Sequence, residues 1–317
     1  MKILLLGAGG FIGKAAAREC VSRGFDTVCA ARTVREKMDG CRWMTCNRGN
    51  ISEVSKLIRA EAFDAVIDLI AYTAAGTVPL LEALDGQVGR YVLVSSSDVY
   101  RNYGLLHRRE TGSPDHGMLN EAAPLRASRY PYRTDVPRES VSDNHWMDDY
   151  DKIPVEAAVR QMTSDWVICR LPMVYGPGNP QARFAWAIGP MLRDLSVLTV
   201  PGSWLDWTTT FGFVDNVGAA LVAAAYHKEA KNGTFNLTDN EMPVSLEAWA
   251  YRFADAIGWQ GELHRVSDPS HPIEKATADL DLSVPLKISG TRFRADTGFK
   301  TPICLNGAIE RLLADLH

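Results

Sequence analysis

The stretch Lys2-Ile3-Leu4-Leu5-Leu6-Gly7-Ala8-Gly9-Gly10-Phe11-Ile12-Gly13 reads as an apolar strand that runs into a glycine-rich turn, with an alanine-rich helix behind it. Each glycine has its own physical reason. Gly7 permits the sharp turn out of the strand. Gly9 and Gly10 keep the backbone bare, so that a diphosphate can approach the amide N–H groups, and Gly13 lets the helix pack closely on the sheet. The helix N-terminus, opened by Phe11 and Ile12, faces the anion with about half a positive charge. Strand, glycine turn and helix in this order predict a dinucleotide site at the first crossover. A Gly-rich turn with nothing bound is the plainer alternative.

Outward from this loop the alternation continues. A helix is expected over 12–22, ended by Gly24, then strands at Thr27–Ala31 and Cys41–Cys46. Ile51, Val54, Leu57 and Ile58 mark one face of a helix, capped by Asn50 or Ser52. A strand at Ala65–Ile70, a short helix at Val78–Leu84 and a strand at Arg90–Ser95 follow. Near-continuous apolar strands between helices define an α/β fold with a doubly wound parallel sheet, covered on both faces, whose ligands bind beyond the C-terminal strand ends. A polar excursion over about 101–148 interrupts the pattern. It carries seven arginines between Arg101 and Arg138 against four acids, and the cluster Arg129-Tyr-Pro-Tyr-Arg133. A loop this long reads as a lid, a binding loop or a disordered insert. Beyond it come a helix at about 152–163, a strand at Trp166–Cys169, a long Ala-rich helix at 215–229, a strand at Thr234–Leu237, and helices at Ser245–Ile257 and Asn306–Leu316.

The chain has 317 residues, 46% of them hydrophobic, enough for a large core in one domain or two fused lobes. A net charge of −4 provides no field for nucleic acid or membrane. The six cysteines are scattered without metal-ligand spacing and are expected to be buried thiols in a reducing compartment. His107, His116 and His145 show no metal spacing either, so no metal is assigned. The apolar start is too short for a signal peptide and is already used as a strand, so a cytoplasmic protein is expected.

With these motifs in view, the sequence resembles the extended short-chain dehydrogenase/reductase superfamily, in its NAD(P)-dependent epimerase/dehydratase branch. The resemblance rests on Gly7–Gly13, on Val94-Ser-Ser-Ser-Asp-Val-Tyr100, on Arg170-Leu-Pro-Met-Val-Tyr-Gly-Pro-Gly178 and on Phe213-Val-Asp-Asn-Val217, in that order along nearly the whole chain. It implies an NAD(P)-binding Rossmann domain over 1–176, completed by about 212–240, and a smaller, mainly substrate-binding lobe over 177–317. It also implies a sugar-nucleotide or similar polar substrate.

The catalytic segment departs from the family pattern, which places a tyrosine four residues before a lysine on one helical face. Asp148 stands four before Lys152, and Pro154 occupies the place where Tyr150 would want its lysine. A proline is tolerated only in the first helical turn, so the helix is expected to begin near Asp151 as N-cap, with Tyr150 just ahead of it. Tyr150 is then the shifted proton-transfer candidate, or a tyrosine packed at the helix entrance. Lys152 is the ribose ligand, or a solvated first-turn lysine. Tyr132 and Tyr100 are weaker candidates. Ser96 takes the place of the family's hydroxyl residue. Ser97 and Asp98 adjoin it on the substrate side; Asp98 stands where the dehydratases carry an acid/base Glu, although surface solvation or a turn role suits it better.

The second strand ends Cys29-Ala30-Ala31-Arg32, with no carboxylate for a ribose 2′-hydroxyl. Arg32 can pair with a 2′-phosphate, which favours NADP over NAD; Arg32 stacking on the adenine would allow either. Asn47 falls where relatives set an Asp against the adenine amine, and Ala71 and Tyr72 should border the adenosine ribose and diphosphate. Arg183 falls where relatives grip anionic substrate groups. Trp207, within the aromatic and hydroxyl-rich patch 204–210, suits a sugar, or else packs the lobe. The expected function is hydride transfer to or from a hydroxyl or keto carbon of a small-molecule substrate, in a monomer or homodimer. Its rival is a catalytically degenerate nucleotide-binding protein with a regulatory or RNA-associated role, the latter disfavoured by the negative charge.

Overall fold

The computed structural model describes residues 1–34, 37–139, 144–239 and 242–316. Its first half runs β1 (Lys2–Leu6), α1 (Phe11–Ser22), β2 (Asp26–Ala31), β3 (Arg42–Thr45), α2 (Ile51–Ala60), β4 (Ala65–Asp68), α3 (Ala74–Leu84), β5 (Arg90–Ser96), α4 (Arg101–Leu106), α5 (Lys152–Val159) and β6 (Asp165–Leu171). The second half adds β7 (Met173–Tyr175), α6 (Ala185–Leu192), β8 (Val197–Pro201), α7 (Gly202–Asp206), β9 (Thr208–Thr209), β10 (Phe211–Phe213), α8 (Val214–Tyr226), β11 (Gly233–Asn236), β12 (Val244–Ser245), α9 (Leu246–Ile257), β13 (Glu262–Val266), α10 (Pro272–Ala276), α11 (Thr291–Thr297) and α12 (Leu305–Ala314).

Seven parallel strands form the central sheet in the order β11-β6-β5-β4-β1-β2-β3. The winding reverses between β1 and β4, where Leu5 lies beside Cys29 on one side and Ile67 on the other. Strand ends part at such a reversal and leave a crevice above it. This is the doubly wound α/β fold expected from the apolar runs, and those runs are buried on both faces except in the edge strand β3. One face is covered by α1 and α8, which are rich in alanine because they pack closely. A Cβ at Gly218 would stand 2.7 Å from the Ala15 backbone. Apolar residues of α2, α3 and α5 cover the other face. A second core gathers the aromatics Tyr175, Phe184, Phe211, Phe213, Trp249 and Phe253 under α6, α9 and α12.

Several element ends differ from the sequence reading. The strand expected to reach Ile70 stops at Asp68, whose carboxylate turns the chain by accepting from the Ile70 amide at 3.1 Å. α3 starts four residues before the expected Val78, because Thr73 caps it through the Gly76 amide (3.1 Å), so Pro79 lies inside the helix. α5 stops at Val159 rather than 163, since the Thr163 and Ser164 amides turn to the Asp85 carboxylate. Of the two candidate caps for α2, Asn50 serves, accepting from the Glu53 amide. Cys304, expected buried, is exposed at the N-cap of α12. Among the described residues no helix is long and apolar enough to cross a membrane.

The 101–148 excursion is ordered by its own arginines, apart from residues 140–143, which lie outside the described part. Arg109 donates to the Tyr130 and Arg133 carbonyls, Arg108 to the Leu280 carbonyl, and Arg101 to that of Thr111. Arg133 pairs with Asp149, and Arg138 with Asp148. Arg126 is buried and pairs with the buried Asp151 carboxylate at 2.8 Å, while its Nε donates to the Asp98 carbonyl at 2.7 Å. These side chains bind the loop to itself and to the start of α5, so the alternative of a disordered insert does not hold for the described part.

Candidate active site

At the C-terminal end of β1 the chain is built to present bare backbone. Gly7 takes φ +91°, a conformation that L side chains avoid. A Cβ at Gly13 would stand 2.5 Å from the Gly7 carbonyl, so glycine is required for α1 to lie against β1. Gly9 and Gly10 differ. A Cβ there meets only ordinary contacts, at 3.4 Å and 3.5 Å respectively, so the protein's own packing does not demand glycine. Gly10 is the N-cap of α1 and supplies no side chain to the first-turn amides of Phe11, Ile12 and Gly13. An uncapped helix start, beneath two glycines that the fold alone does not require, fits a diphosphate.

The strand ends on either side carry the remaining groups. Arg32 is exposed just past β2. Asn47 is exposed past β3, and its amide oxygen accepts from the Gly49 amide at 3.1 Å, forming a local turn at the point where an adenine contact was expected. Arg48, which the sequence reading did not single out, is buried and forks onto Asp68 (2.6–3.0 Å), with further bonds to the Gly76 carbonyl and the Thr77 hydroxyl. Tyr91 gives the same carboxylate a bond of 2.6 Å. The signal for this network was the charge inside Ala65-Val-Ile-Asp68, which burial obliges to find a cation.

Past β4, Ala71 and Tyr72 border a lysine rather than open crevice. Lys152 is buried at 3% exposure, and its Nζ donates to the Ala71 and Val94 carbonyls, each at 2.8 Å. The Tyr72 and Tyr150 rings lie 5.1 and 5.6 Å from that nitrogen, and Trp146 stacks on Tyr72 at 4.2 Å. The alternative of a solvated lysine is thus overturned. Burial pulls its pKa down to about 8, against the raising influence of Asp68 and Asp98. An ammonium has three N–H donors, and two are spent on carbonyls.

Asp151 caps α5 through the Ile153 amide (3.2 Å), as Pro154 requires, and Tyr150 stands just ahead of the helix. The Tyr150 phenol donates to Asp98 Oδ2 at 2.8 Å and also meets the Ser96 hydroxyl. The Tyr132 phenol, from the excursion, donates to the same Asp98 oxygen at 3.0 Å. Asp98 is 2% exposed, so its expected solvation is overturned; the excursion covers it. It does keep a turn position, because Ser96 Oγ accepts from its amide and caps the short 3-10 turn Ser97–Val99, which leaves Ser97 nearly buried. Burial raises the Asp98 pKa, opposed by the Tyr150 bond, by Arg126 and by the Ser96 and Tyr132 bonds. Burial and then the Asp98 charge hold the Tyr150 phenol well above the ordinary phenol range. That is the opposite of a lysine-activated tyrosine.

Ser96, Tyr150, Lys152 and Asp98 therefore converge beyond β4 and β5. Glu156, one helical turn after Lys152, is buried and forks onto Arg170 of β6 while accepting from Ser95 at 2.7 Å, which pins α5 to the sheet. Tyr100 lies away from this group, with its phenol on Asn236 at 2.6 Å. Arg183 is half-buried; its Nε donates to the Val174 carbonyl, and its charge is felt by the Tyr132 and Tyr103 phenols. Trp207 packs the second core and spends its indole N–H on the Val284 carbonyl at 3.0 Å, so the lobe-packing alternative describes it rather than sugar contact.

Residues 3–133 match the family model described as the NAD dependent epimerase/dehydratase family, and over that stretch the resemblance to the epimerase/dehydratase branch is borne out. No curated protein sequence matches the chain. Among solved structures, the UDP-glucose 4-epimerase of Thermotoga maritima with UDP-glucose is similar at TM-score 0.69 and 15% identity, over 100% of this chain and 98% of that one. The UDP-glucose 4-epimerase of Thermus thermophilus, in complex with NAD, gives 0.68 and 18%, over 99% and 98%. The Bacillus cereus UDP-glucuronic acid 4-epimerase with UDP-glucuronic acid and NAD gives 0.68 and 19%, over 100% and 99%. At these identities the likeness establishes the fold.

Proposed function

We propose that the protein is a pyridine-dinucleotide-dependent oxidoreductase or epimerase acting at a hydroxyl or keto carbon of a sugar nucleotide or a similar polar substrate. The observation that carries this reading is the convergence of Ser96, Tyr150 and Lys152 past the ends of β4 and β5, taken together with the bare amides at Gly9–Gly13 past the end of β1. Gly9, Gly10 and the first-turn amides of α1 would hold the diphosphate, and the third Lys152 donor would hold a ribose hydroxyl. When bound, the dinucleotide supplies the hydride donor or acceptor. Ser96 and Tyr150 orient the substrate oxygen, and Tyr150 exchanges a proton with it. Arg183, whose Nε is held by the Val174 carbonyl, would meet an anionic group of the substrate. The named substrates of the neighbours, UDP-glucose and UDP-glucuronic acid, are of the kind such a site would take.

Arg32 at the end of β2, with no carboxylate in Cys29–Thr33, favours NADP, although two of those neighbours carry NAD. The test is turnover of UDP-glucose and UDP-glucuronic acid, followed by product analysis and cofactor absorbance, in the wild type and in Tyr150→Phe. Turnover abolished in the variant with dinucleotide binding intact supports the assignment. Turnover by neither protein with either sugar nucleotide removes this substrate class.

A further inference from the structure

Two phenols from separate parts of the chain donate to one carboxylate oxygen. Tyr150 reaches Asp98 Oδ2 from the approach to α5, and Tyr132 reaches it from the excursion, with their rings 5.0 Å apart. The other oxygen, Oδ1, is buried and has no hydrogen-bond partner among the described residues. A buried carboxylate oxygen without a donor is costly, and a proton on that carboxyl relieves the cost. The surroundings supply little to offset it. Ser96 lies at the end of β5. Arg126 bonds the Asp98 carbonyl but is paired with Asp151. Lys152 meets Asp98 only through its charge, and the Tyr103 phenol of α4 bonds Tyr132 rather than Asp98. Lys152, which would be expected to activate Tyr150, is spent on two carbonyls.

We propose that Asp98, held by Tyr132, is the proton store behind Tyr150. This rests on the reading of Tyr150 as the hydroxyl that meets the substrate. In the oxidising direction the substrate O–H bond breaks, and its proton goes to the Tyr150 oxygen while the proton already there passes to Asp98. An O–H bond forms on the carboxyl, the Tyr150 phenol stays neutral, and the substrate oxygen keeps the electron pair that becomes the carbonyl. The C–H electron pair leaves as the hydride that a pyridine dinucleotide accepts. Reduction runs the same proton path backwards. A carboxyl whose proton affinity is raised by burial accepts a phenolic proton more readily than an ordinary aspartate does. Asp98 and Tyr132 are therefore positioning residues that act through Tyr150.

The test uses the full chain without dinucleotide. Infrared difference spectra across a pH titration follow the carbonyl stretch of a protonated carboxylic acid. The wild type should show a carboxyl that titrates above the ordinary aspartate range. Tyr132→Phe removes one donor to the carboxylate and should move that midpoint up by about one pH unit. Tyr150→Phe should move it in the same direction, and Asp98→Asn should abolish the band. Should Asp98→Asn fail to fold, the two single-hydroxyl variants still read the midpoint. A midpoint unmoved in Tyr132→Phe overturns the proposal, as does the lack of any such band. Because no dinucleotide is present, either failure leaves cofactor binding to be judged separately by calorimetry, so loss of the proton store and loss of the oxidoreductase reading are told apart.

Discussion

At the end of β1 the chain strips itself bare, whereas at the ends of β4 and β5 it crowds large polar side chains into a dry space. The first region consists of residues adjacent in sequence, Gly7 to Gly13, and its requirements are conformational: one positive φ and one close helix–strand contact. The second gathers Asp98, Tyr132, Tyr150 and Lys152 from across 55 positions, and its requirements are electrostatic. A site for a ligand's diphosphate can be made of backbone alone, because the ligand brings the charge. If the second region moves protons as proposed, it must bury ionisable groups and hold them, and the Arg126–Asp151 pair ties the excursion over them to the start of α5.

The excursion depends most heavily on that pair. Arg126→Met leaves the Asp151 charge buried, with Arg129 at 3.3 Å as its remaining cation among the described residues and only the Ile153 and Tyr130 amides as further donors, and should cost about 3–5 kcal/mol of stability in urea unfolding. Amide exchange should quicken across the excursion while the sheet keeps its protection. Equal loss of protection in β1 and β2 would contradict the division into two separately built ends.

Lys152 sharpens the same contrast through pH. Its folded pKa of about 8 lies below the unfolded value near 10.4, so between those values the unfolded chain binds more protons and stability rises with pH. The cost of burying its charge is fully present below about pH 8 and is relieved above it, by about 3 kcal/mol in all. That rise should vanish in Lys152→Met. A parallel pH dependence in both proteins would place the charge elsewhere.

The two kinds of glycine separate fold from ligand. Gly13→Ala forces backbone atoms apart and should destabilise by about 1–3 kcal/mol in thermal melts. Gly10→Val should leave the melt nearly unchanged and abolish dinucleotide binding, since a Cβ there meets only the Gly7 carbonyl at 3.5 Å. Undiminished affinity would contradict the cradle. The smallest expected effect is at the exposed Arg32. Arg32→Ala should weaken NADP by about 1 kcal/mol more than NAD, and equal weakening would remove the 2′-phosphate contact.

Legibility in the sequence follows the same division. The glycine turn and the parallel sheet were readable because their causes are local or periodic: φ preference, apolar runs, helix caps. Pro154 correctly placed the helix start at Asp151 and Tyr150 outside it, because proline excludes every later turn. The solvation expected of Asp98 failed because the polar run Ser95-Ser-Ser-Asp98 looks like a strand leaving the core, while the excursion that covers it lies some 30 residues further on. Trp207 failed as a sugar contact for a related reason, since its indole partner, Val284, belongs to a distant segment. Charges inside apolar strands, Asp68 and Arg170, were the readable trace of buried networks, but not of their partners Arg48 and Glu156. Tyr132 left no comparable mark, because nothing in Arg129-Tyr-Pro-Tyr-Arg133 says which tyrosine turns inward.

Calorimetric titration of the wild-type protein with NADPH and with NADH decides whether the amides at Gly9–Gly13 hold a dinucleotide. Saturable heat at one site per chain is expected, with NADPH the tighter ligand, and that heat should be lost in Gly10→Val. No heat from either coenzyme would contradict that expectation.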